Sequence, residues 1–221
     1  MTNHRIVLLV ATAALLVLSN EALAQDQPTA PPTPSVHHVY MLPSEVAFFE
    51  RFQAARIEMN AAQLSLAEAF GLKDDVEKLK LEQNTLSSGP LDRDGYTKSK
   101  ELSDSCNADI SQKMSQGTDL SAEGNADYLE ALPHLLKGTL LAVGLAPAAV
   151  AFVNEAKAAV SSASFQDKFR LAGALGTAII ISKDIPGFVA ACVNNYKQTI
   201  TYGQANKIPV PKDATDALGS L

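Results

Sequence analysis

The sequence predicts an all-α protein, a helical bundle of about six to seven helices, and three observations support this fold class. Tryptophan is absent, and aromatic residues make up only 6% of the 221 residues. The commonest side chains include Ala, Leu, Ser, Lys, Gln and Glu, which favour helices over β-sandwiches or barrels. In several segments the apolar residues recur at steps of three and four, the period of a helix with one buried face.

Residues 1–24 have the pattern of a secretory signal peptide that is removed on export. The apolar run 6–18 follows Arg5, and the small-residue pattern 22–24 precedes Gln25. The run is shorter than the ~20 residues that span a bilayer, which favours a cleaved signal over a membrane anchor. We therefore expect an exported protein, periplasmic or fully secreted, with no stable transmembrane span in the mature chain.

The mature chain predicts one domain between two less ordered ends. Residues 25–43 form a flexible leader rich in proline, and residues 44–202 form the helical-bundle domain. Residues 203–221, which contain Pro209 and Pro211, are expected to be a loose C-terminal tail.

The first helix has the clearest signals. Ser44 is the predicted N-cap, and Glu45 lies in the first turn, where a carboxylate favours the helix dipole. The helix runs to about Phe70 and stops at Gly71. Its apolar seam comprises Phe48, Phe52, Ala55, Met59, Ala62, Leu66 and Phe70.

The remaining helices divide into a polar and an apolar half. Pro133 is read as a kink or a first-turn residue, Pro147 as the start of a helix, and Pro186 as a break in the last apolar stretch. The polar helices are predicted at 72–86 and 96–116, and the apolar helices at 127–144, 147–163, 165–182 and 187–202.

The apolar half also contains a possible internal repeat. Gly138-Thr139, Pro147 and the Val-Asn-x-x-Lys of 153–157 return as Gly176-Thr177, Pro186 and the same pattern at 193–197. A duplicated helical hairpin would produce this similarity. Chance similarity in a region rich in Ala and Gly would produce it too, and the sequence leaves both explanations open.

The two cysteines, Cys106 and Cys192, are predicted to form a structural disulfide. Each lies on an apolar stripe, and export places the protein where disulfides persist. A redox role would need a closely spaced pair in an electropositive setting, and neither is found in the sequence.

Charge and motifs exclude several functions. The net charge of −6 is spread along the chain without a basic cluster, which argues against a nucleic-acid partner. No nucleophile elbow, phosphate-binding glycine loop, haem-attachment or zinc motif is present, so no cofactor is expected. His37 and His38 lie in the leader, and His134 follows Pro133; none has the spacing of a metal site.

The segment beginning at Asp92 partly resembles an EF-hand calcium loop. Asp92, Asp94 and Glu101 would occupy its third, fifth and twelfth positions, and Gly95 the sixth. Pro90 stands where the first carboxylate ligand is required. Asp-x-Asp-Gly is also ordinary turn chemistry between helices, and we expect a turn without a metal ion.

Two uncharged segments, 138–153 and 171–182, suggest either a tightly packed core or the lining of an apolar groove. The candidate ligand-binding residues are Leu140, Leu141, Val143, Ile179, Ile180 and Ile181. The expected function is a non-catalytic envelope accessory or binding module for a protein partner or an apolar small molecule such as a lipid. A membrane-active secreted effector and a hydrolase without a recognisable motif remain as alternatives.

Overall fold

The computed structural model describes residues 42–219 and confirms the all-α bundle. The predicted signal peptide and residues 25–41 of the leader lie outside the described residues. Seven helices and a short eighth follow one another: α1 (Pro43–Ala69), α2 (Lys73–Ser87), α3 (Arg93–Ser115), α4 (Ala122–Val143), α5 (Leu145–Ser162), α6 (Phe165–Ala174), α7 (Gly176–Ala205) and α8 (Lys212–Ala217).

Helix α1 begins two residues earlier than predicted. Pro43 occupies the first helical position, where its missing N–H costs nothing, and Leu42 is the N-cap instead of Ser44. The carboxylate of Glu45 accepts a hydrogen bond of 3.3 Å from the backbone N–H of Leu42. At the other end Gly71 adopts a φ of 67°, as the predicted stop requires, and this left-handed residue turns the chain out of the helix.

Helix α1 lies at the centre of the bundle. Helices α4 and α5 run antiparallel to it, since Gly124 approaches Ala69 at one end and the backbone N–H of Ser44 donates to Glu155 at the other. Helix α2 is antiparallel to α1 as well, because Gln53 donates to the carbonyl of Leu86 and Asn60 to that of Leu79.

Helices α3 and α7 run parallel to α1. Phe52 contacts Phe188 near the start of α1, and Phe70 contacts Tyr202 beyond its end, each pair edge to face. Tyr96 near the start of α3 donates to Asp184 of α7, and Ser111 farther along α3 donates to Gln198 of α7, so these two helices run the same way. Along the chain, therefore, α1, α3 and α7 point one way, and α2, α4 and α5 point the other.

The core divides into two clusters along the bundle. The first contains the buried tyrosines Tyr128 and Tyr196, whose hydroxyl groups donate to the carbonyls of Thr199 and Ala214. The second joins the start of α1 to α5, α6 and the first half of α7. There the rings of Phe48 and Phe152 stack with their centroids 5.7 Å apart. The predicted α1 seam is buried throughout both clusters.

Helix α7 differs from the prediction in two ways, since the expected break at Pro186 is absent and an unexpected break lies at Leu175. The helix predicted over 165–182 divides at Leu175, and α7 then continues through Pro186 to Ala205. A proline in a helix interior costs about 3 kcal/mol. A stripe of buried apolar side chains offsets this cost, because burying each of them stabilises the fold by about 1.5–3 kcal/mol. The stripe comprises Ile181, Ile185, Cys192, Tyr196 and Ile200.

The second half of the possible repeat therefore has a different structure from the first. Residues 138–157 pass through the break at Gly144, which separates α4 from α5. Residues 176–197 lie within the single helix α7. The structure does not contain a duplicated hairpin at these positions.

The C-terminal segment packs against the bundle rather than forming a loose tail. Ile208 and Ala214 are buried, and the hydroxyl of Tyr196 lies 2.6 Å from the carbonyl oxygen of Ala214. Helix α8 contacts α4, and Pro211 immediately precedes it. The prolines that suggested a loose tail instead position a short helix.

Candidate functional site

An open apolar groove lies between the outer face of α4 and the segment that begins α8; we call it the α4/α8 groove. Its volume is about 620 Å³, within the range of roughly 300–1,000 Å³ common for small-molecule sites. Its lining consists of Leu129, Leu132, Pro133, Leu136, Lys137, Leu140, Leu141, Pro211, Asp213 and Ala214.

The structure places two of the six predicted ligand-binding residues in this groove. Leu140 and Leu141 line it, and Leu140 is 52% exposed. Val143 is exposed farther along α4. Ile181 is buried in the second core cluster, against which Ile179 and Ile180 pack, and these three residues do not line the groove.

A second, more enclosed cavity lies between α1, α3 and α7; we call it the central pocket. Its volume is about 400 Å³, and its lining mixes aromatic, charged and amide side chains. The lining residues are Phe52, Arg56, Met59, Tyr96, Lys100, Ser103, Asp104, Asn107, Lys183, Asp184, Gly187, Phe188, Ala191, Cys192 and Asn195. Sequence reasoning missed this pocket, although Arg56 next to the apolar seam of α1 was a signal for it.

A buried polar network lies beside the central pocket. Nη2 of Arg56 is 2.5 Å from both Oε1 of Glu82 and Oγ of Ser99, and Ser99 also donates to Glu82. Nε of Arg56 and Oε2 of Glu82 are buried without a hydrogen-bond partner among the described residues. A buried donor left unpaired costs about 1–3 kcal/mol, so an acceptor atom that reached the Nε–H of Arg56 would stabilise this network.

Polar pairs and one cation surround the rest of the pocket. The hydroxyl of Tyr96 donates to Oδ2 of Asp184 at 2.9 Å, and burial, followed by this bond, raises the pKa of Tyr96 well above its ordinary value. Lys100 pairs with Asp104 at 2.6 Å. Lys183 is exposed and makes no ion pair with any residue of 42–219.

The predicted disulfide is not present, because Cys106 and Cys192 are both free and buried. The thiol of Cys106 on α3 faces Asp75 of α2, whereas Cys192 on α7 lines the central pocket with Arg56. Burial raises the pKa of each thiol to about 12. Both thiols therefore stay protonated near neutral pH and are poor nucleophiles.

The segment that resembles a calcium loop begins a helix. Asp92 is the N-cap of α3, and its Oδ1 accepts a 2.7 Å bond from the backbone N–H of Gly95. Asp94 and Glu101 are exposed within α3. Between residues 42 and 219 no three His, Cys, Asp or Glu side chains form a group that could hold a metal ion. His134 instead pairs with Glu58, 2.7 Å away.

Apolar surface is also exposed around α6. Phe165 and Phe169 are 77% and 69% exposed, and their rings contact each other edge to face at 5.1 Å. Within residues 42–219, two helical stretches, Ala122–Ser162 and Gly176–Ala205, are long and apolar enough to cross a membrane by length and composition alone. Core helices of a bundle in water meet the same criteria of length and composition.

No protein-family model, curated protein or solved structure matches this chain.

Proposed function

We propose that the mature protein is an exported, non-catalytic binding module whose ligand is an apolar acyl chain held in the α4/α8 groove. The observation that carries the proposal is a groove lined almost wholly by aliphatic side chains, with Leu140 half exposed within it. In an aqueous compartment such a surface gains free energy when an apolar chain covers it. The export expected from residues 1–24 supplies the compartment.

The shape of the groove favours an acyl chain over a compact ligand. Leu129 and Leu141 lie at opposite ends of its α4 wall, which corresponds to roughly 18 Å along the helix axis. Leucine and proline line this length, and the wall has no aromatic ring on which an aromatic ligand could stack. Each methylene group buried there contributes about 0.8 kcal/mol.

The charges at the rim favour a ligand whose head group stays in water. Lys137 is already paired with Glu58, with Nζ 2.6 Å from Oε1, and Asp213 stands on the α8 side. Among the described residues that line the groove, no unpaired cation would therefore select a carboxylate. A fatty acid and its uncharged ester should bind with similar affinity.

A titration with the fluorescent fatty acid cis-parinaric acid and its methyl ester tests this proposal. Both probes should show saturable binding with similar affinity. Leu140→Glu places a charge in the groove and should weaken binding of both by about tenfold or more, since a buried unpaired charge is costly.

Leu81→Glu is the matched control, because Leu81 is 68% exposed on α2, away from the groove. This variant should bind both probes as the wild type does. Equal binding by Leu140→Glu and the wild type, or no saturable binding of either probe, would refute the groove as an acyl-chain site.

The exposed rings of Phe165 and Phe169 favour a second candidate function, attachment to a membrane surface as a membrane-active protein. Phe rings beside Lys168 and Arg170 on a short amphipathic helix resemble the composition of interfacial helices. Binding and leakage of vesicles made of phosphatidylglycerol and phosphatidylcholine test this function. Phe165→Ser/Phe169→Ser should abolish both effects if α6 is the attachment site, and unchanged binding would exclude that role for α6.

A further inference from the structure

We infer that the central pocket is a second, independent binding site, for a small organic carboxylate with an apolar body. Three features of the pocket support this inference. They are an unsatisfied cationic donor, aromatic walls, and an unpaired lysine. None of them involves the α4/α8 groove.

The first feature is Arg56. Its side chain is 7% exposed, its Nη2 is occupied by Glu82 and Ser99, and its Nε–H has no acceptor among the described residues although Arg56 lines the pocket. A guanidinium group binds carboxylate oxygens through charge-assisted hydrogen bonds. Nε itself has almost no exposed surface, and we expect a carboxylate in the pocket to draw the Nε–H of Arg56 toward it and so supply the missing acceptor.

The second feature is the arrangement of apolar side chains. The rings of Phe52 and Tyr96 meet edge to face at 5.9 Å, and those of Phe52 and Phe188 meet in the same way at 5.7 Å. Met59 adds a polarisable thioether to this wall. An aromatic or short aliphatic body fits a space of about 400 Å³ lined in this way.

The third feature decides the sign of the ligand's charge. The two carboxylates that line the pocket already have donors, since Asp104 pairs with Lys100 and Asp184 accepts from Tyr96. Lys183 makes no ion pair with any described residue. Among the side chains that line the pocket, the groups without a partner are thus the Nε–H of Arg56 and the ammonium of Lys183, and both favour an anionic ligand over a cationic one. Oε2 of Glu82 is also unpartnered, but Glu82 does not line the pocket.

Gly187 provides a test that does not endanger the fold. It lines the pocket and lies within α7, and a Cβ added at this position would meet no atom within 4 Å. A leucine there occupies the pocket without a backbone clash, and its helix propensity exceeds that of glycine. Gly173→Leu on α6 is the matched control, because its Cβ also meets open space and it does not line the pocket.

The probes are benzoate and hexanoate, with benzyl alcohol and hexanol as their neutral counterparts. Isothermal titration calorimetry or protein NMR measures the binding of each probe. Both carboxylates should saturate one site on the wild-type protein, and the alcohols should bind more weakly. Gly187→Leu should lose at least about tenfold in affinity because its side chain fills the site. Gly173→Leu should stay within about twofold, as expected for an exposed change outside the site.

Lys183→Met should weaken both carboxylates without affecting the alcohols. Leu140→Glu should bind benzoate as the wild type does, which separates this site from the α4/α8 groove. The inference is overturned if neither carboxylate saturates the wild-type protein, if the alcohols bind equally well, or if Gly187→Leu retains wild-type affinity.

Discussion

Nη2 of Arg56 and Oε1 of Glu82 lie 2.5 Å apart, with the two side chains 7% and 3% exposed. Such a buried pair adds little net stability over an apolar pair of the same size, yet removing one partner leaves a buried charge without compensation. This buried ion pair links α1 to α2 beside the central pocket.

Glu82→Gln should therefore lower the free energy of unfolding by about 3–5 kcal/mol, because the charge of Arg56 then stays buried and unpaired. Urea unfolding followed by circular dichroism measures this loss. The double variant Arg56→Met/Glu82→Leu removes both charges and should recover most of it. A loss below about 1 kcal/mol for Glu82→Gln would show that water, rather than Glu82, compensates the guanidinium.

Cys106 and Cys192 should both titrate as free thiols once the protein is unfolded. In the folded state they should react slowly with iodoacetamide, because burial raises the pKa of each to about 12 and also excludes the reagent. Mass spectrometry of protein alkylated with and without denaturant measures both states. A protein that takes up no label even in denaturant would contradict the free thiols.

Gly124 and Gly173 should respond in opposite ways to alanine. A Cβ at Gly124 would lie 2.6 Å from the backbone oxygen of Ala69, so Gly124→Ala should destabilise the bundle by about 1–3 kcal/mol through overpacking of α1 against α4. A Cβ at Gly173 meets no atom within 4 Å, and Gly173→Ala should gain up to about 1 kcal/mol of helix propensity. Thermal unfolding compares the two, and equal effects would refute the close contact.

Glu58 should make stability depend on pH in the acid range. Burial acts to raise its pKa, but the hydrogen bonds and charges of Lys137 and His134 outweigh burial and hold the pKa below its ordinary value of 4.5. A lowered pKa in the folded state stabilises the protein above the unfolded-state value, and this contribution is lost as the pH falls through the folded-state value.

The free energy of unfolding of the wild type should accordingly fall more steeply than that of Glu58→Gln between about pH 5 and about pH 3. Glu50→Gln, an exposed change on the same helix, controls for the loss of one negative charge. If the free energies of unfolding of the wild type and Glu58→Gln changed equally with pH, the stabilising interaction of Glu58 with Lys137 and His134 would be contradicted.

The sequence predicted the fold class, the limits of α1 within a residue or two, and the burial of its apolar seam, because these follow from local periodicity and from a stop at Gly71. It did not predict the path of α7. Pro186 is a local signal against a helix, whereas the buried stripe from Ile181 to Ile200 is a tertiary effect that becomes visible only when its packing partners are known.

The C-terminal tail was misjudged for the same reason. Pro209 and Pro211 suggested disorder, but Ile208 and Ala214 find a surface on the bundle, and Tyr196 fixes the carbonyl of Ala214. The candidate site was predicted in part: Leu140 and Leu141 line the groove, while its other wall comes from residues 211–214. The central pocket required the meeting of three helices, which residue spacing alone does not give.

Native mass spectrometry of the mature protein, purified from its own compartment without detergent and followed by lipid extraction, tests the proposed function most directly. We expect an acyl-chain lipid bound at near-unit stoichiometry in the wild type and in Leu81→Glu, and absent from Leu140→Glu. Ligand-free wild-type protein, or the same lipid retained by Leu140→Glu, would contradict the α4/α8 groove as the binding site.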